Sequence, residues 1–110
     1  MNFEERIAIA IREAGERIRE AHEGVARAEA ELKRGIARAM AASGEKSTAA
    51  QARHADDDDG IFQLRCDVGA AEGELAASRA NLKAIELRFE AWRTNMANQR
   101  TERRTAYGDR

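Results

Sequence analysis

The chain is 110 residues long, has no proline, is 5% aromatic and 35% charged, and carries a formal net charge of −1. That mixture describes one domain of long helices with a single apolar stripe and excludes a sandwich or an α/β fold. The near-zero charge also excludes a global electrostatic pull toward DNA or an anionic membrane.

The first helix announces itself at Asn2, which with Glu5 three residues later has the form of a capping box. Its acidic first turn suits the positive end of the helix dipole. One heptad row then reads Ile11, Ile18, Val25, Leu32, Ala39, and its partner row reads Ile7, Ala14, Ala21, Ala28, Gly35, Ala42. Large residues on one row face alanine or glycine on the other, which lets a second helix come unusually close. Gly15 and Gly24 lie off that seam, and each costs about 1 kcal/mol relative to alanine with nothing in the pattern to offset it. Gly44 fits the left-handed position that closes a helix ending near Ala42 or Ser43.

Residues 43–59 form a polar connector. Thr48 and Gln51 have the spacing of another capping box, which allows a short helix over Ala49 to Ala55. The run Asp56, Asp57, Asp58, Asp59, Gly60 has no apolar face. Extending the second seam backward puts His54 and Asp57 on it, so the core is expected to stop short of this segment.

The second helix is expected over residues 60–105, following a helix at 3–42, with a frayed tail at 106–110. Its apolar residues fall at Ile61, Leu64, Val68, Ala71, Leu75, Leu82, Ile85, Phe89, Trp92 and Met96, in steps of three and four broken only by Ser78. That is a coiled-coil seam. A flanking row alternates Arg65, Glu72, Arg79, Glu86, Arg93. Folded back about the connector, Val25 falls near Leu75, Ile11 near Phe89 and Ile7 near Met96. The fold expected is therefore all-α: an antiparallel two-helix coiled-coil hairpin, roughly 55–60 Å long at 1.5 Å per residue. Ile7 to Ile11 is apolar on every face, with Ile9 directed away from the seam, so the hairpin is expected to oligomerise into a helical bundle.

Chemistry-bearing motifs are scarce. The aspartate run fails as a calcium loop, because Ala55 and Cys66 stand where that loop needs acids. His22 and His54 lack partners at metal spacing. Cys66, the only cysteine, has no activating motif around it, and its solitude suits a reducing compartment. The reading is a protein with no catalytic residues, no metal and no cofactor. The start Asn2-Phe3-Glu4-Glu5 lacks the form of a signal peptide, and no apolar run approaches the roughly 20 residues of a membrane span. The expected location is the cytoplasm, with no membrane partner.

The C-terminal end is the informative place. Arg88, Arg93, Arg100, Arg103 and Arg104 surround Phe89, Trp92 and Tyr107, with Asn95, Asn98 and Gln99 between them. Arginines among aromatics and amides hold phosphates and stack bases of single strands. Arg93, Arg100, Arg103 and Arg104 are the candidate nucleic-acid contacts. Ile7, Ile9, Ile11, Phe89, Trp92 and Met96 are the candidate protein interface.

The words Leu82-Lys83-Ala84-Ile85-Glu86, Phe89-Glu90-Ala91-Trp92-Arg93-Thr94 and Asn98-Gln99-Arg100-Thr101-Glu102-Arg103, after Lys46-Ser47, resemble small all-helical proteins of tailed phages. The layout is similar to that of UvsY-type recombination mediators. The resemblance implies a short, oligomeric accessory protein of the host cytoplasm that binds single-stranded DNA while helping to load a recombinase. Small phage proteins of this shape also inhibit host defence complexes, which implies instead an adaptor or inhibitor that acts through helix packing on a protein partner.

Overall fold

The computed structural model describes residues 1–107, and all of its regular structure there is helical: α1 (Phe3–Ala42), α2 (Thr48–Asp56) and α3 (Asp59–Tyr107). The longest dimension is 90 Å against cross-sections of 24 and 17 Å, longer than the 55–60 Å expected of two helices with matched ends. The expected tail begins later than 106, since Ala106 and Tyr107 continue α3; residues 108–110 lie outside the described residues.

Each boundary has a local cause. Asn2 Oδ1 accepts from the Glu5 amide at 2.8 Å and starts α1, with Glu4 and Glu5 in the first turn. At the other end, Ser43 Oγ donates to the Met40 carbonyl at 2.8 Å and Gly44 turns the chain with φ of +76°. Among the described residues Gly44 alone has positive φ, which only glycine adopts without strain. The cap of α2 is Ser47, whose Oγ accepts from the Ala50 amide at 3.1 Å, so the helix begins one residue before the start that a Thr48 cap implies. Asp58 Oδ1 accepts from the Ile61 amide at 3.1 Å and starts α3, leaving only Asp57 and Asp58 between α2 and α3.

The connector therefore contributes to the core, contrary to the expectation from the extended seam. Ala55 is 1% exposed, and Ala50, Gln51 and Ala52 are half-buried. The break at Asp57–Asp58 resets the helical phase, so the position of His54 on a continued seam does not apply. Gln51 Nε2 donates to the Glu45 carbonyl at 3.0 Å, and Arg65 pairs with Asp56 at 2.7 Å, fastening α2 to the loop before it and to α3.

The α1–α3 contact carries most of the packing. Gly35 lies against Leu64 and Ile61, His22 meets Arg79, and Phe3 packs at a tilt on Trp92. Residue numbers fall along α3 as they rise along α1. On α1 the buried residues are Ile7, Ala14 and Ala21, all from the row of mostly small residues. On α3, Ile61 is 3% exposed, and the half-buried residues up to Gln99 keep the three-and-four spacing. Ser78 does not break the line: it is 8% exposed, held in by its heptad position despite its hydroxyl. No helix among the described residues is long and apolar enough to cross a membrane.

Candidate interface at the overhanging end of α3

Three aromatic rings mark the level at which α1 begins. Phe3 packs on Trp92 with ring centroids 5.0 Å apart and planes tilted by 35°. Trp92 in turn stacks on Phe89 at 6.0 Å and 17°. Offset ring contacts of this kind contribute about 0.5–1.5 kcal/mol beyond area burial. From Trp92, α3 runs on to Tyr107, roughly four turns or about 22 Å beyond the start of its partner helix.

That overhang bears the candidate arginines. Between residues 93 and 107 stand Arg93, Arg100, Arg103 and Arg104 against the single acid Glu102. All four arginines are exposed. Arg93, Arg100 and Arg104 recur at seven and four residues and so share one face of the helix. Arg103 takes the next seam place after Met96 and the half-buried Gln99, where a core residue would stand if α1 reached that far. The guanidinium of Arg93 lies 5.8 Å from the centroid of the Phe89 ring, within cation–π range.

An open groove of about 350 Å³ runs along this end, lined by Phe89, Trp92, Arg93, Met96 and Arg100, with Glu4 of α1 at its edge. The Thr101 and Thr105 hydroxyls donate to carbonyls one turn back in their own helix, at 3.1 and 3.0 Å. The remaining donors on the overhang are the guanidinium groups and the carboxamides of Asn95, Asn98 and Gln99, and of these the guanidinium groups bind phosphate in a forked, bidentate geometry.

The candidate protein-contact residues separate into two groups. Ile7 is 8% exposed and packs inside the hairpin, so it has almost no surface to offer a partner. Ile9, Ile11, Phe89, Trp92 and Met96 are half-buried. Phe3, which lies on neither heptad row of α1, is 38% exposed and closes the aromatic cluster; its place at the first turn of α1, opposite the aromatic end of the second seam, is the sequence signal for it. Among the described residues no three His, Cys, Asp or Glu side chains gather where they could hold a metal ion, and Cys66 is exposed and free. Comparison with known proteins finds no matching family model, no similar curated protein and no matching solved structure.

Proposed function

We propose that the chain is a non-enzymatic accessory protein of the cytoplasm, an antiparallel coiled-coil hairpin that assembles with copies of itself and contacts single-stranded nucleic acid through the overhang of α3. The resemblance to tailed-phage recombination mediators belongs to the same reading. One observation carries it: α3 extends four arginines past the start of α1, at a level where no opposing helix needs them, beside stacked Phe89 and Trp92. Phosphates would meet Arg93, Arg100, Arg103 and Arg104, and the aromatic edge of the groove would face the bases.

Fluorescence anisotropy with a labelled single-stranded oligonucleotide tests this across a salt titration. Binding weakens steeply with salt, and Arg100→Ala with Arg103→Ala lowers the slope of log affinity on log salt by about 1.4, at about 0.7 per phosphate contact on a single strand. A wild-type protein that shows no binding at low salt refutes the reading. The alternative is an adaptor or inhibitor, for example of a host defence complex, and the partly exposed Phe3 ring beside Trp92 favours it. That reading predicts a protein ligand whose binding is lost on Phe3→Ala and is indifferent to the arginine substitutions.

A further inference from the structure

The back of α3 carries a second stripe that the hairpin leaves uncovered. Phe62, Gly69, Gly73, Ala76, Ala80 and Leu87 share one helical face, away from the seam that meets α1, and all are exposed. Phe62 is 65% and Leu87 51% exposed, two of the most exposed large apolar side chains among the described residues. Between these two, the one charge on the stripe is Lys83, whose long stem can lie along apolar surface while its ammonium reaches water. A Cβ added at Gly69 or Gly73 would meet nothing within 4 Å. Two mid-helix glycines thus cost about 1 kcal/mol each with no contact inside the chain to offset it.

We propose that this face is a docking surface for the same face of a second copy, with the two α3 helices antiparallel about a twofold axis passing between Leu75 and Ala76. This deepens the self-assembly part of the proposed function and is independent of nucleic-acid contact. Charge complementarity selects the occupant and the register. Glu72 and Arg79 stand equidistant from that axis, as do Arg65 and Glu86. An antiparallel pair therefore sets Glu72 opposite Arg79 of the second copy and Arg65 opposite Glu86, each twice. A parallel pair would set the same row against Ala70, Ala77 and Ala84 and gain no ion pair.

The antiparallel register also brings Phe62 beside Leu87 at both ends of a contact about 40 Å long from residue 62 to residue 89. Glycine and alanine fill its middle, where the two backbones must approach closely. Arg65 pairs with Asp56 and Arg79 meets His22 Nε2 at 3.1 Å, but both arginines are exposed, so their guanidinium groups remain within reach of a second helix.

Sedimentation equilibrium on the full chain tests the proposal with two charge reversals. Glu72→Arg and Arg79→Glu alone each place like charges across the axis and raise the dimer dissociation constant about tenfold. Mixed one to one, the two variants pair with each other at wild-type strength, because each supplies the charges that the other lacks. Circular dichroism shows unchanged helix content in both. A wild type that stays monomeric at high micromolar concentration overturns the self-assembly reading together with this face. A dimer that ignores both reversals, or a mixture no tighter than its components, overturns the face alone.

Discussion

Gly35 sits so close to Leu64 that a Cβ built on it would stand 2.6 Å from the leucine Cδ1, and 3.3 Å from Cδ1 of Ile61. The close approach of α1 and α3 near the connector therefore depends on the missing side chain. Ile61 is 3% exposed, so any shift it makes is into packed surroundings, and the half-buried Leu64 has to give way first. Gly35→Ala gains about 1 kcal/mol of helix propensity but incurs an overpacking cost of about 1–3 kcal/mol. The net expectation is a loss of about 1 kcal/mol by urea unfolding. The sign reverses in a Leu64→Ala background, where the clashing methyl is gone. Stabilisation by Gly35→Ala in the wild type would show that the helices part easily at this level.

Gly15 is the contrasting case. It is exposed, and an added Cβ meets nothing within 4 Å, so only backbone entropy and propensity are at stake. Gly15→Ala raises stability by about 0.5–1 kcal/mol and increases the melting temperature without changing the denaturant m-value. A loss on this substitution would mean that Gly15 faces a partner.

Phe3 anchors the open end through its 5.0 Å contact with Trp92. Phe3→Ala costs about 1 kcal/mol, and it loosens the first turns of α1 while leaving the connector end intact. Trp92 is the sole tryptophan, so its emission reports the loss directly as a shift to longer wavelength. Amide exchange accelerates near residue 7 and holds steady near residue 35.

Ser78 places a hydroxyl in a seam otherwise made of apolar side chains, beside a shallow groove bordered by Ala21, Gly24 and Ala71. The groove, also lined by Arg17, Glu20 and Glu74, leaves the hydroxyl no unpaired burial, so Ser78→Ala gains through helix propensity alone, about 0.5 kcal/mol. Thermal melts decide it: an unchanged or lower midpoint would mean that the hydroxyl is satisfied in the folded state and contributes there.

Much of the fold was legible because helix burial follows spacing. The spacing from Ile61 to Met96 and the two rows of α1 mark most of the residues withdrawn from solvent, since a 3.5-residue repeat leaves one stripe for a partner helix. Three features escaped. The polarity of Ser78 argues against burial, but position in the heptad decides it. A seam extended backward passes through His54 and Asp57 and misses Ala55, but a two-residue break restarts the helical phase. The overhang escaped because the apolar residues of the two seams end at similar levels; α3 continues by backbone hydrogen bonding through residues that serve no core. In the candidate site the arginines were visible as a cluster, whereas Phe3 lay far from them in sequence and joined them only when the chain folded back.

The overhang also changes what a net charge of −1 means for this molecule. The aspartates at 56–59 sit at the connector end, and the exposed arginines lie beyond the opposite end of α1, on a body whose longest dimension is 90 Å. At ordinary ionic strength one charge feels another over roughly 10 Å. The two ends are therefore electrically deaf to each other, and a polyanion approaching the arginine end meets a cationic tip whose attraction the distant carboxylates do not cancel. Formal neutrality here is an average over a rod too long for averaging to apply.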